Sequence, residues 1–201
     1  MANILFGLIV IIGISSYVIA LRQIFKGRYA PNAFSRVVWF MLAIISFGSV
    51  VASDGTLASI VLAAVFLLGN AAMCAASLWR GSRAIGVLEL ICCFLLAASV
   101  LVWIIFNAPL ISLCTTLFAH FVGAIPTYKR VLKDPRSEDI GFWSLFFTAS
   151  AISLIASWGM PLASVVFPIY LTLFEGSMVF LSLRRTYASQ TFKYRKFEAT
   201  E

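Results

Sequence analysis

Charge is what this sequence has least of: only 11% of its 201 side chains are Asp, Glu, Lys or Arg, while 62% are apolar and the mean hydropathy is +1.00. A soluble domain needs about a quarter of its residues charged, so that class is excluded and the bilayer becomes the expected solvent. There is a single histidine, and the four cysteines fall inside apolar runs with no metal-ligand partner at helical spacing, so no metal site is expected. No run carries paired carboxylates, or a serine and histidine with a clear third member, which argues against an enzyme and gives no reason to expect a cofactor. The last apolar run, 160–183, lacks the lysine that a retinal protein would need.

What is present is a series of seven apolar runs of 17 to 24 residues: 3–21, 37–53, 56–79, 84–106, 108–127, 141–158 and 160–183. About 20 helical residues at a rise of 1.5 Å cross a hydrocarbon core of roughly 30 Å, so seven transmembrane helices are predicted. The first run is longer than a signal-peptide core, and the Met-Ala-Asn before it carries no basic side chain, so it is expected to remain as a helix.

Basic residues are absent from one side of this arrangement. Arg22, Lys26, Arg28 and Arg36 follow helix 1, Arg80 and Arg83 follow helix 3, and Lys129, Arg130, Lys133 and Arg136 follow helix 5. Arg184, Arg185, Lys193, Arg195 and Lys196 complete the 15 in the tail, whereas the other side offers Asp54, Asn107 and a Trp158-Gly159-Met160-Pro161 turn. Cytosolic loops retain Lys and Arg, which places the N-terminus outside and the C-terminus in the cytosol. The net charge of +7 is then a juxtamembrane feature that meets anionic lipid, and nucleic acid is not an expected partner.

Shifting the chain by 104 positions lays residues 20–80 on 124–184 without a gap, with eleven identities that include Pro31/Pro135, Trp39/Trp143, Gly55/Gly159 and Arg80/Arg184. Residues 1–80 and 108–185 then form two three-helix units, 81–107 holds a single connector helix, and 186–201 is a basic and aromatic tail. An odd connector makes the two bundles parallel, about an axis along the membrane normal, a plan used by transporters with a midplane site between repeats. Ser46, Ser49 and Ser53 on helix 2, with Ser150, Ser153 and Ser157 on helix 6, share one face at spacings of three or four; they serve either close helix packing or a polar pathway.

The segment from Ala124, AIPTYKRVLKDPRSEDIGFWSLFFTASAISLIAS, reads as a proline closing a helix, a basic loop, and a helix entered through acidic and aromatic residues. Its first copy is ALRQIFKGRYAPNAFSRVVWFMLAIISF. Both resemble the PQ-loop repeat, and with the three-plus-one-plus-three layout the chain resembles the SWEET and PQ-loop superfamily of membrane transporters. Arg22-Gln23 and Pro126-Thr127 stand where the motif has Pro-Gln. The resemblance implies transport of a small polar solute, a hinge at Pro126, and solute contact through Asn70 on helix 3. The residue matched to Asn70 on helix 7 is Phe174, followed by Glu175.

Three ionisable residues fall within the runs. Glu175, nine residues before Arg184 and so about 13 Å from the basic end, is the first site candidate, with Tyr170 and the helix-bending Pro168 before it. His120 lies about 12 Å deep, and with Glu175 it would couple protonation to transport. Glu89 is about 9 Å deep, and its expected role is structural. Trp39, Trp103 and Trp143 read as interfacial anchors.

The expected function is thus a facilitator or proton-linked carrier of a sugar or amino-acid-like solute, with Asn70, Glu175, Tyr170 and His120 at the site, lipid around it and a homo-oligomer in prospect. The alternative is a receptor or accessory subunit on the same fold. Compact loops suit a prokaryotic plasma membrane.

Overall fold

The computed structural model describes residues 2–28, 31–81 and 86–198, with side chains from 3 to 184 of these. Arg83 and the side chains of Arg185, Lys193, Arg195 and Lys196, counted above among the basic residues, lie outside the described set. Seven helices follow one another: α1 (Ala2–Phe25), α2 (Ala33–Ala52), α3 (Leu57–Arg80), α4 (Val87–Phe106), α5 (Pro109–Lys133), α6 (Ile140–Ala156) and α7 (Leu162–Glu198). An apolar helix satisfies its own backbone groups, which is why such runs adopt this form in hydrocarbon.

Six of these helices are long and apolar enough to cross a membrane, and the fold is compatible with a multi-pass membrane protein. The seventh, α6, is 17 residues and so rises about 26 Å, at the short limit for a span.

Capping chemistry moves several ends away from the hydropathy boundaries. Helix 2 starts four residues earlier than the apolar run because the Asn32 side chain accepts from Ser35 N–H at 3.1 Å. Asp139 begins α6 by accepting from the N–H groups of Gly141 and Phe142 through Oδ1, as the acidic entry to that helix predicts. Pro126 does not close its helix: α5 runs on to Lys133 with the proline inside it. A proline costs one helical hydrogen bond and bends a helix, and neighbouring helices let the backbone continue past it. The residues from 128 to 133 extend α5 beyond the apolar run because helix formation does not require lipid.

The neighbour relations are simple. The backbone of α3 lies against α1 and α2, whose backbones do not approach each other closely among the described residues; α7 lies against α5 and α6, which are related in the same way. Across the middle, α1 packs on α6 and α2 packs on α5, while α4 lies outside on α5 and α2. Only Cys92 and Ser99 of α4 are buried, so most of its apolar surface faces outward.

Hydrogen bonds define two ends. At the basic end Arg80 donates to Phe25 O at 2.9 Å, tying α3 to the close of α1, and Arg184 donates to Leu132 O at 3.4 Å, tying α7 to the close of α5. At the opposite end the Thr56 and Ser157 hydroxyls meet at 2.6 Å, Ser164 accepts the Thr56 N–H at 3.1 Å, and Ser153 donates to Ala58 O at 3.0 Å. The start of α3 is thereby fastened to α6 and α7. Ser46, Ser49, Ser150, Ser153 and Ser157 are buried between helices, in keeping with close packing.

Candidate functional site

Between α1, α2, α3 and α6, at the basic end, lies a cavity of about 320 Å³. Its wall takes Ala20 and Gln23 from α1, Arg36 and Trp39 from α2, Met73 from α3, and Phe142 and Trp143 from α6; Arg28 and the segment 136–139 frame its mouth. The lining therefore combines arginines, two carboxylates and aromatic surface.

Each acid is already engaged. Asp139 holds the start of α6 with Oδ1 and accepts from Gln23 Nε2 with Oδ2 at 2.8 Å, which links α1 to the segment between α5 and α6. Glu138 pairs with Arg130 at 3.3 Å. Burial raises its carboxyl above the ordinary carboxylate range, against the opposing pull of Arg130 and Arg36. The Trp143 indole is buried, and its N–H has no hydrogen-bond partner among the described residues, with the Glu138 carboxyl near it. Arg36 spreads over the Trp39 ring at 5.1 Å, a cation–π contact that holds the guanidinium at the wall.

The tryptophans correct the reading made from sequence. Trp143 is 4% exposed and lines the cavity together with Trp39, so neither is a lipid-interface anchor; helical phase turns both inward. Trp103 packs against Gly48. The indole of Trp158, by contrast, is exposed.

None of Asn70, His120, Tyr170 and Glu175 lines this cavity. They lie deeper in one cluster, with Asn70, His120 and Glu175 buried and Tyr170 partly buried. His120 Nδ1 and the Tyr170 hydroxyl are 2.7 Å apart, and the imidazole is ringed by Trp39, Phe66 and Phe174 at centroid distances of 4.5, 5.6 and 4.9 Å. Asn70 donates to the Tyr17 hydroxyl at 3.1 Å and to Phe66 O at 2.9 Å. Gly69 makes that bond possible: a Cβ there would lie 2.1 Å from the Tyr17 ring, so only glycine lets the ring lie against α3. Glu175 is within electrostatic reach of Tyr17, Tyr128 and Tyr170, and Tyr128 is hydrogen-bonded to Ser177. Two buried atoms of the cluster, His120 Nε2 and Glu175 Oε2, have no partner among the described residues.

Cavity and cluster adjoin. Trp39 touches both, Trp143 lies 6.0 Å from Phe174, and Met73 stands one helical turn from Asn70. Phe142 and Trp143 of the cavity wall are in ring contact with each other, and Trp143 with Phe174 of the cluster, so aromatic side chains stand where the two meet. Pro126 and Pro168 are both inside helices, α5 and α7, and neither borders the cavity.

Sequence reasoning missed Tyr17, Tyr128, Arg36 and the two tryptophans as site residues. Tyr17 had a weak signal, a phenol in an apolar run, whereas Tyr128 falls one residue past its run; Arg36 was counted only as an orienting charge. Glu89 is structural: it accepts from the Ser35 hydroxyl at 2.7 Å and from Gly86 N–H at 3.0 Å, joining the start of α4 to that of α2.

Comparison of the chain with protein-family models, with curated proteins and with solved structures finds no match, and the functional reading rests on this geometry.

Proposed function

We propose that the chain is a membrane transporter for a small polar solute, sugar or amino-acid-like, built as two parallel three-helix units, α1–α3 and α5–α7, joined by α4. All seven helices span the bilayer in this reading, with the N-terminus outside and the basic end in the cytosol of a prokaryotic cell. The reciprocal contacts of α1 with α6 and α5 with α2 support the repeat, as do the matched caps of Arg80 and Arg184.

The observation that carries transport is the cavity between the units, open at the basic end, lined by charged and aromatic side chains, and adjoining a cluster with buried polar atoms that have no partner among the described residues. Such a vestibule suits a cytosol-facing state, with the hydroxyl contacts of Thr56, Ser153, Ser157 and Ser164 as the closed outer side. Rocking of one unit on the other would part these contacts and open the cluster, with Pro126 and Pro168 as flexible points in α5 and α7. His120, Tyr170 and Glu175 would carry a proton in a linked cycle.

The test is uptake into proteoliposomes across a panel of sugars and amino acids. Glu175→Gln and Asn70→Ala are expected to lower uptake of the carried solute by about tenfold or more; unchanged uptake of every solute carried by the wild type overturns the reading. One observation favours a second reading, a receptor or accessory subunit: both donor bonds of the Asn70 amide are taken up within the protein. Absence of flux together with retained ligand binding would select it.

A further inference from the structure

The transporter reading leaves the chemistry of the solute open, and the cavity wall narrows it. Its charged groups are three arginines against two acids. The acids are committed to protein partners: Asp139 to α6 and Gln23, Glu138 to Arg130. Arg28 and Arg136 stand exposed at the mouth, on opposite sides of the junction between the two units, while Arg36 is held further in by the Trp39 ring. Beyond them the wall is aromatic, and the buried Trp143 N–H, beside the Glu138 carboxyl, adds a donor with no hydrogen-bonded acceptor among the described residues.

Donors and cations at the entrance, with flat apolar surface behind, form the complement of a small anion carried on an apolar body. Carboxylates and phosphates bind guanidinium groups through charge-assisted hydrogen bonds, and a ring or short chain would lie against Trp39, Phe142 and Trp143. We propose that this cavity binds a small organic anion, through Arg28, Arg36 and Arg136 at its charged end and the tryptophans at its apolar end. This rests on the transporter reading for its physiological role, since it names the solute class. The same oxyanion chemistry is offered by a free solute and by an anionic lipid headgroup at the membrane surface.

The test uses the full chain in phosphatidylcholine nanodiscs, with benzenesulfonate as anionic probe, benzenesulfonamide as its neutral counterpart and benzylammonium as the cation, binding being followed by calorimetry. Benzenesulfonate is expected to bind about tenfold tighter than benzenesulfonamide, with affinity falling as salt is raised. Arg136→Gln, on an exposed segment, and Arg36→Gln are each expected to weaken it about tenfold, with Arg36→Lys restoring part of the loss; Trp143→Phe, which keeps an aromatic ring but removes the N–H and part of the apolar surface, weakens it about threefold. Phosphatidylglycerol in the nanodisc separates the sources: displacement of the probe with the same arginine dependence assigns the site to a headgroup, and indifference assigns it to a free solute. Equal binding of the three probes, or binding that ignores both arginines in variants with wild-type melting, overturns the inference. Exchange flux in proteoliposomes separates this failure from that of the transporter reading. Flux of neutral solutes without anion binding leaves transport standing, and anion binding without flux of any solute removes transport while keeping the anion site.

Discussion

His120 Nδ1 and the Tyr170 hydroxyl, 2.7 Å apart, join α5 to α7 at the centre of the aromatic cluster, while His120 Nε2 has no partner among the described residues. The imidazole is therefore oriented by one bond, and its second nitrogen faces the surrounding rings.

Removing that bond tests its weight. Tyr170→Phe leaves the imidazole with neither nitrogen bonded, and a buried polar group left unsatisfied costs about 1–3 kcal/mol. The expected result is a lower melting temperature in detergent, together with slower uptake; the double variant His120→Phe/Tyr170→Phe, which removes both partners of the bond, is expected to melt closer to wild type than Tyr170→Phe alone.

Gly69→Ala is expected to destabilise the chain by about 1–3 kcal/mol, since the added carbon would sit 2.1 Å from the Tyr17 ring and force it off α3. Gly7→Ala is the control, because nothing lies within 4 Å of a Cβ there. Comparison of the two melting curves checks the claim, and equal curves would count against the packing of Tyr17 on α3.

Asp139→Ala removes both the cap of α6 and the acceptor for Gln23. Loss of a cap costs about 0.5–2 kcal/mol. Gln23→Ala loses only the link between α1 and the segment before α6. Accessibility of a cysteine introduced at Ala20, on the cavity wall, is expected to rise in both variants and to rise more in Asp139→Ala.

Glu138 sets a pH dependence. Its folded carboxyl is raised above the ordinary value of 4.5 by burial, so the folded state holds the proton more tightly than the unfolded chain. Its contribution to stability is complete below about pH 4.5 and is lost as pH rises through the folded value. Melting scans from pH 4 upward are expected to show this decline, and Glu138→Gln is expected to flatten it.

Much of the fold could be read from the residues alone. The apolar runs mark seven helices, six of them long and apolar enough to cross a membrane, and five of the six serines in the three-four rows are buried, Ser53 being the exception. The site was legible only in part. Asn70, His120, Tyr170 and Glu175 stand out because polar groups are expensive in hydrocarbon; in the structure His120 bonds Tyr170, Glu175 lies within electrostatic reach of Tyr170, and Asn70 bonds Tyr17. Trp39 and Trp143 did not stand out, because a tryptophan near a helix end suits the lipid interface and a protein cavity equally well by composition.

Hydropathy determined how many helices form and which ends carry the basic charge, since transfer to lipid acts residue by residue along the chain. Which helix lies beside which was decided by tertiary packing: the pairing of α1 with α6, the seat of the Tyr17 ring on Gly69, and the continuation of α5 through Pro126. The cavity belongs to that second level. Its wall is drawn from four helices and two connecting segments, and its charge balance depends on which acids find protein partners, a matter of distances that no single run of sequence contains.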